Sequence, residues 1–323
     1  MKNDNLNFEK NLTGKKILIT GHTGFTGSWA YLWLDNIGAK LMGFSLPPDT
    51  NPSLFNEINK DIVIPTHYGD ICDYQDFLNV VKTFKPEIIL HLAAQTIVRR
   101  SYQEPLNTIS TNVIGTANVL EAARNVKSVK AVLCVTTDKV YQNYELKKFY
   151  TENDPLGGKD PYSSSKAAAD IISQSYSKLS RPNDNNSLVI ATARGGNIIG
   201  GGDWAEDRLI PDFIRAVTKS KKLNLRYPNA VRPWQHVLGL VNGYLIIMAG
   251  LISNEPEKYS RPWNFGPFSK DSFTVRYVFE LMSKEWKRPH LNYMNNPLPE
   301  ASHLMLDSSD ARNILGWITP WDI

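Results

Sequence analysis

The chain has 323 residues, of which 42% are hydrophobic and 21% charged, and its net charge is +4. This balance indicates a globular protein, and the charge is too small to predict nucleic-acid binding. No run approaches the ~20 apolar residues of a membrane span, and the N-terminus has no apolar signal core, so we expect a cytoplasmic protein that binds no membrane. The two cysteines stand far apart, which fits a reducing compartment, and the six histidines show no ligand spacing, so we predict no metal site.

Strand-like and helix-like segments alternate as far as residue 197. Apolar strand patterns occur at 15–20, 39–45, 86–94, 129–137 and 187–197, and helical spacing of apolar residues occurs at 28–38, 112–126 and 161–179. This alternation predicts an α/β fold, a doubly wound parallel sheet with helices on both faces. We expect residues 1–197 to bind the cofactor and carry the catalytic residues. Residues 198–323, rich in Gly, Pro, Trp and Arg, are expected to form mainly a smaller, interleaved C-terminal substrate-binding lobe.

A glycine-rich stretch, ITGHTGFTGSWA, follows the first predicted strand and opens a helix. Gly21, Gly24 and Gly27 have the spacing G-x-x-G-x-x-G, which lets a pyrophosphate approach the amides at a helix N-terminus. A second glycine-rich stretch, 195–203, has no strong helical pattern after it. The first stretch therefore predicts a dinucleotide site, with a plain tight turn as the alternative.

The end of the second predicted strand bears on which dinucleotide is bound. Ser45 stands where an acid normally holds the adenosine ribose, and Asp49 lies further on. No Lys or Arg is placed there to meet a 2′-phosphate, which favours NAD over NADP. Asp70 is a candidate for the adenine edge, and a turn residue is an equal alternative.

The stretch AVLCVTTDKVY ends an apolar strand on Thr137, Asp138 and Lys139. By itself this pattern is typical of a solvated loop tip. Its place at the carboxyl end of a parallel strand, where such sheets bind ligands, favours a functional role. Asp138 and Lys139 can face one ligand only if the strand has ended by Thr137, because neighbours on a strand point to opposite faces.

Tyr162 and Lys166 in PYSSSK are four residues apart on a predicted helix and share a face. An ammonium near a phenol is expected to lower its pKa, which makes the tyrosine a usable base. Such a pair can take the proton of an alcohol while a nicotinamide takes the hydride. Tyr144 has the same spacing to Lys148, but it lies in a polar loop without helical spacing.

The motifs TGHTGFTG, HLAAQ, TNVIGT and YSSSK fall in the order typical of the extended short-chain dehydrogenase/reductase superfamily, which the sequence resembles. The resemblance implies a Rossmann-type sheet, NAD, and a catalytic trio of Thr137, Tyr162 and Lys166. Asn112 resembles the helix-embedded asparagine of that superfamily. The candidate cofactor-binding residues are Gly21, Thr23, Gly24, Phe25, Thr26, Gly27, Ser45, Asp70, Ile71, Leu92, Ala93, Ala94, Gln95, Asn112, Tyr162 and Lys166.

The triplet Thr137-Asp138-Lys139 resembles the CDP-glucose 4,6-dehydratase branch of that superfamily, as do GGGDWAEDRLIPD and AVRPWQHVL, and the resemblance covers nearly the whole chain. It implies conversion of CDP-glucose to CDP-4-keto-6-deoxy-glucose: oxidation at C4, loss of water across C5 and C6, and hydride return to C6. Asp138 would be the acid for the C6 hydroxyl and Lys139 the base at C5.

The predicted substrate-binding residues are Asn197, Arg208 and Arg232, because guanidinium forks match phosphate oxygens. For the arginines, surface ion pairs are the alternative. The competing hypotheses for function are an NAD-dependent nucleotide-sugar epimerase or reductase, and a non-catalytic dinucleotide-binding regulator.

The resemblance also implies a homo-oligomer, which would be either a homodimer or a homotetramer. The sequence departs from the family pattern in two places. Gly239 stands where the branch usually has an acid, and the chain ends at GWITPWDI, where the family usually continues. From the second departure we expect a truncated or naturally short chain.

Overall fold

The computed structural model describes residues 7–144, 148–181, 184–268, 272–293, 301 and 303–321. Its strands, in chain order, are β1 (Lys16–Thr20), β2 (Lys40–Ser45), β3 (Thr66–Tyr68), β4 (Ile88–His91), β5 (Ala131–Val135), β6 (Phe149–Tyr150), β7 (Ser180–Arg181), β8 (Asp184–Ser187), β9 (Val189–Gly195), β10 (Ile198–Ile199), β11 (Leu223–Leu225), β12 (Val231–Pro233), β13 (Gln235–His236), β14 (Pro262–Phe265), β15 (Ser272–Thr274), β16 (Leu291–Tyr293) and β17 (Met305–Leu306). Its α-helices are α1 (Phe8–Leu12), α2 (Phe25–Asn36), α3 (Leu54–Ile58), α4 (Tyr74–Phe84), α5 (Val98–Gln103), α6 (Pro105–Ile109), α7 (Gly115–Asn125), α8 (Pro161–Tyr176), α9 (Leu209–Thr218), α10 (Val237–Leu251), α11 (Val275–Glu285) and α12 (Ser309–Leu315). A π-helical turn spans Ser110–Ile114, and 3₁₀ turns span Asp138–Val140 and Pro256–Lys258.

Seven parallel strands form the central sheet in the order β3-β2-β1-β4-β5-β9-β14. The chain first runs outward from β1 to β3 and then crosses back to β4 on the other side of β1. This is the doubly wound, Rossmann-type arrangement, and the predicted fold is confirmed. Because the order reverses between β1 and β4, a crevice forms at the carboxyl ends of these strands.

Two apolar layers bury the sheet on both faces. On one face, α2, α10 and α12 pack around a core that includes Leu34, Tyr244 and Trp263. On the other face, α4 and α7 pack around a core that includes Phe77 and Leu120. A sheet covered on both faces favours apolar side chains at successive strand positions, as at residues 17–19 of β1, 88–90 of β4 and throughout β5.

The chain beyond residue 197 returns to the sheet. Helix α10 packs on β5 and β9, and β14 pairs with β9 as the edge strand. Helix α9 and the short strands β11 and β16 lie outside the sheet around a small core of their own, which includes Phe213 and Phe279. Within the described ranges, no helix is long and apolar enough to cross a membrane.

Candidate functional site

The glycine-rich loop connects β1 to α2, and its backbone packs closely against itself and against the segment after β4. Gly21 has φ +73°, and a Cβ there would lie 2.6 Å from the amide nitrogen of Ala93. A Cβ on Gly27 would lie 2.2 Å from the carbonyl oxygen of Gly21. Both positions therefore require glycine, and the turn directs the N-terminus of α2, capped by Gly24, towards the crevice.

The side of the loop near β2 is built from hydroxyl groups rather than a carboxylate. The hydroxyl of Thr23 lies 2.7 Å from that of Ser45 and donates to the carbonyl of Leu46 at 2.9 Å. Asp70 lines the same cleft while its carboxylate accepts from the amide of Cys72 at 2.9 Å, so both interpretations of this residue have support. A tight glycine cradle beside hydroxyl acceptors fits a dinucleotide whose ribose carries free hydroxyls.

One cleft collects nearly all of the predicted residues. It contains the glycine loop, Ser45, Asp70 and Ile71 on the sheet side, and the predicted substrate residues Asn197, Arg208 and Arg232 on the other. The remaining predicted residues that line it are Thr23, Phe25, Thr26, Leu92, Ala93, Ala94, Gln95, Thr137, Asp138, Lys139, Tyr162 and Lys166.

Asn112 lies behind the cleft wall instead of in it, which differs from its predicted contact with the cofactor. The side chain is 1% exposed, accepts from the amide of Gln95 at 2.8 Å and donates to the carbonyl of Gln95 at 3.0 Å. It also donates to the hydroxyl of Ser165 on α8 at 2.9 Å. Asn112 therefore connects the segment after β4 to the helix that carries Tyr162 and Lys166.

Residues 136–141, which we call the site turn, follow the end of β5. The strand ends at Val135 and Asp138 begins a 3₁₀ turn, so Asp138 and Lys139 both face the cleft, as the hypothesis required. The hydroxyl of Thr137 donates to Oδ1 of Asp138 at 3.0 Å, and Nζ of Lys139 lies 3.7 Å from the same oxygen. Oδ2 of Asp138 is buried without a hydrogen-bond partner among the described residues.

Tyr162 and Lys166 lie in the first two turns of helix α8. Asp160 caps the N-terminus of this helix by accepting from the amide of Ser163. The expectation that Lys166 lowers the pKa of Tyr162 is wrong for this structure. Burial raises the pKa of Tyr162 to about 12, against a smaller lowering by a hydrogen bond with Thr137. The ammonium of Lys166 instead donates to the carbonyl of Val135 at 2.7 Å, and burial lowers the pKa of Lys166 to about 8.

Comparison with known proteins agrees with this geometry. The model of the GDP-mannose 4,6 dehydratase family matches residues 18–323. The chain belongs to this family of nucleotide-sugar 4,6-dehydratases. It is 42% identical to the CDP-glucose 4,6-dehydratase of Salmonella typhimurium over 316 residues, which is 96% of this chain and 88% of that relative. It is 32% identical to the human dTDP-D-glucose 4,6-dehydratase over 95% of this chain and 87% of that relative.

A solved structure of a dTDP-glucose 4,6-dehydratase from Streptomyces venezuelae, crystallised with NAD, has the same fold. The TM-score is 0.81 at 24% identity, over 95% of this chain and 93% of that one. This likeness shows that the two proteins share one fold.

The side of the cleft that contains the predicted substrate residues is lined with ion pairs. Arg208 pairs with Asp203 at 3.0 Å and its side chain is 31% exposed. Arg99 and Arg226 both pair with Oδ1 of Asp207, at 2.8 and 2.9 Å. The predicted ion-pair alternative for Arg208 therefore holds alongside its place in the cleft.

Arg232 differs from Arg208 because it is only 5% exposed. It lies on β12 and donates to the carbonyl of Val231 at 3.0 Å. Trp234 lines the same cleft and donates from its ring nitrogen to the carbonyl of Phe273 at 3.0 Å.

Sequence reasoning missed the role of Arg194, which ends β9 near the site. The guanidinium is 1% exposed and binds the carboxylate of Asp170 through two hydrogen bonds of 2.8 and 2.9 Å. Asp170 lies one helical turn after Lys166 on α8, but 24 residues before Arg194, so spacing along the chain does not reveal the pair.

Gly239, the first departure from the branch pattern, faces the C-terminal segment. Its carbonyl accepts from the ring nitrogen of Trp317 at 2.8 Å, and a Cβ there would lie 3.1 Å from Cγ2 of Thr319. In the part of the chain that the structure describes, no three His, Cys, Asp or Glu side chains are grouped so as to hold a metal ion.

Proposed function

We propose that this dehydratase converts CDP-glucose to CDP-4-keto-6-deoxy-glucose with NAD as its cofactor. The observation that carries the proposal is the site turn, which places an acid and an amine in the cleft shared with Tyr162 and Lys166. The 42% identity to the CDP-glucose enzyme of Salmonella typhimurium supports the choice of substrate.

NAD would lie on the cradle of Gly21, Gly24 and Gly27, beside the hydroxyls of Thr23 and Ser45. When bound, it supplies an acceptor that takes hydrogen from C4 as hydride and gives it back at C6. The hydroxyls of Thr23 and Ser45 would accept or donate to the adenosine ribose, in place of the acid usual at that position.

Tyr162 would take the proton of the C4 hydroxyl, and Thr137 would orient that hydroxyl. The phenol is neutral at physiological pH, because burial raises its pKa to about 12. The hydrogen bond with Thr137 and the charge of Arg208 both favour the ionised phenol. Lys166, one helical turn away, lines the same cleft and completes the predicted trio.

Asp138 and Lys139 would carry out the elimination. Lys139 would take the proton from C5, which the ketone at C4 makes acidic. Asp138 would give a proton to the C6 hydroxyl, which leaves as water. Asp138 lines the same cleft as Tyr162, and this placement supports its proposed role.

The proposal is tested by incubating the protein and NAD with CDP-, dTDP-, GDP- and UDP-glucose and analysing the sugar product. We expect a 4-keto-6-deoxy sugar from CDP-glucose. Product from another donor alone would overturn the substrate assignment. An epimerised or reduced sugar would favour an epimerase or reductase, and NAD binding without any product would favour a regulator.

The role of Lys139 is tested by the variant Lys139→Ala. It should still bind NAD but lose exchange of the C5 hydrogen with deuterated water. Lys148→Ala is a matched control, because Lys148 pairs with Asp154 and does not line the cleft. Normal C5 exchange in Lys139→Ala would contradict the role as base.

We also propose that the protein is a homo-oligomer, which would be either a homodimer or a homotetramer. Helices α6 and α8 pack side by side and expose apolar side chains: Leu106 by 79%, Ile109 by 42% and Ile171 by 53%. A second copy would cover this face. Light scattering should show that Leu106→Lys combined with Ile171→Lys dissociates the oligomer. Val63→Lys, at an 89% exposed site elsewhere, should not.

The proposed location is the cytoplasm. The thiols of Cys72 and Cys134 are both free, and burial raises the pKa of both, so that Cys134 at about 12 is unreactive.

A further inference from the structure

A buried ion pair lies directly behind the site turn. Asp170 of α8 and Arg194 of β9 are 0% and 1% exposed, and two hydrogen bonds of 2.8 and 2.9 Å join them. Neither residue lines the cleft. Replacing a buried pair by apolar side chains is often neutral or stabilising, so stability alone does not explain its presence.

The pair is bonded to both ends of the site turn. At the start, the hydroxyl of Thr136 donates to Oδ2 of Asp170 at 2.9 Å. At the end, Nη1 of Arg194 donates to the hydroxyl of Tyr141 at 2.8 Å. Thr137, Asp138 and Lys139 all lie between these two anchors.

The same pair fixes the turn relative to the rest of the site. Asp170 is on the helix that carries Tyr162 and Lys166, and Lys166 itself donates to Val135, just before the turn. The hydroxyl of Tyr141 also donates to Oδ1 of Asn264 on the edge strand β14, at 2.6 Å. One connected polar network thus joins the helix, the turn and the sheet edge.

We propose that Asp170, Arg194, Thr136 and Tyr141 are positioning residues that hold the site turn in register with Tyr162 and Lys166. The two ends of a four-residue segment are fixed to one rigid pair, so its side chains have a single arrangement towards the cleft. This inference rests on the proposed function, because it concerns the residues that carry out oxidation and elimination.

Two mild variants test the two anchors. Tyr141→Phe removes the hydroxyl between Arg194 and Asn264 while keeping the ring, and Thr136→Val removes the bond to Asp170. Each should lower kcat by about tenfold or more, because small misplacements of reacting groups are costly. KM for CDP-glucose should be unchanged in Tyr141→Phe, because Tyr141 does not line the cleft, whereas Thr136 does.

Tyr150→Phe is the matched control. Tyr150 is also buried and stacks on Tyr141 with ring centroids 5.1 Å apart. Its hydroxyl donates to Asn143 at 3.0 Å, and the bond between its carbonyl and Asn264 does not involve that hydroxyl. Its loss should lower the melting temperature about as much as Tyr141→Phe does, but leave kcat at the wild-type value.

Hydrogen exchange gives a readout that does not depend on turnover. The amide of Val140 donates to the carbonyl of Thr137 within the turn, and the amide of Thr136 donates to Ala193. In Tyr141→Phe and Thr136→Val the amides of residues 136–141 should exchange faster, while those of β5 stay protected. In Tyr150→Phe the site turn should exchange at the wild-type rate.

The outcomes separate this inference from the proposed function. If wild-type protein makes no dehydrated product, the proposed function fails, while the exchange experiment still tests the anchors. If wild type is active but either anchor variant keeps wild-type kcat, the inference is overturned. It is also overturned if Tyr150→Phe lowers kcat by the same factor, because kcat would then follow stability alone.

Discussion

The two sides of the cleft differ in how their polar side chains are held. On the cofactor side, Thr23 and Ser45 are buried, and their hydroxyls are bonded to each other at 2.7 Å. On the side of the predicted substrate residues, Arg208 lies in a partly exposed pair with Asp203. The cofactor side therefore has its geometry before any ligand binds, whereas a diphosphate on the other side must compete with carboxylates for the guanidinium groups.

The largest effect is expected from a substitution in the glycine loop, on the cofactor side of the cleft. Gly27→Ala would place a Cβ 2.2 Å from the carbonyl oxygen of Gly21 and 2.7 Å from Cα of His22, and neither backbone atom can move cheaply. Overpacking of this kind costs about 1–3 kcal/mol or more. We expect a lower melting temperature and loss of NAD binding in calorimetry.

The control for that prediction is Gly201→Ala in the other glycine-rich stretch. A Cβ on Gly201 meets nothing within 4 Å, so this variant should fold and bind NAD as wild type does. Wild-type NAD affinity in Gly27→Ala would show that the loop is not the rigid cradle described here.

The difference between the two sides of the cleft also separates the parts of the structure that the sequence predicts well from those that it predicts poorly. The central sheet and the glycine loop were predictable, because buried strands are continuous apolar runs and a tight turn needs glycine at fixed spacing. Helix α10 was not, because it is apolar on all sides and shows no helical period. Strand β14 has only four residues and follows the segment that looked irregular.

The networks behind the site could not be predicted from spacing. Arg194 is 24 residues from Asp170 and 53 from Tyr141, so only the fold brings them together. Asn112 was found as a motif residue, but its partners Gln95 and Ser165 lie on other segments, and its position behind the cleft depends on both. A one-dimensional pattern identifies residue types that carry chemistry better than residues that position them.

A second prediction compares two of the predicted substrate residues, Arg232 and Arg208. Arg232→Met should weaken binding of CDP about 10- to 100-fold, because charge-assisted hydrogen bonds contribute about 1.5–3 kcal/mol. Arg208→Met should weaken it less, since Arg208 is 31% exposed and solvent screens its charge, whereas Arg232 is 5% exposed. Titration calorimetry at two salt concentrations measures both, and the Arg208 contribution should be the more salt-sensitive. Equal losses for the two variants would contradict the division between buried and exposed arginines.

The smallest expected effect concerns the pH dependence of the buried side. Burial, with a smaller contribution from Lys166, lowers the pKa of His91 from 6.5 to about 3. Between these two values the unfolded chain binds a proton that the folded protein does not, so the free energy of unfolding falls as the pH falls through this window.

His91→Gln removes that titration while an amide can still bond to Thr20 and Thr116. Urea unfolding at about pH 6.5 and pH 5 should therefore show that the wild type loses about 1–2 kcal/mol more than His91→Gln over this interval. His236→Gln is the comparison outside the sheet core: its side chain is only partly buried, burial lowers its pKa less, and its loss should change the slope less. Equal slopes for wild type and His91→Gln would mean that the cofactor side admits a proton, and hence water, which its buried hydrogen bonds are expected to exclude.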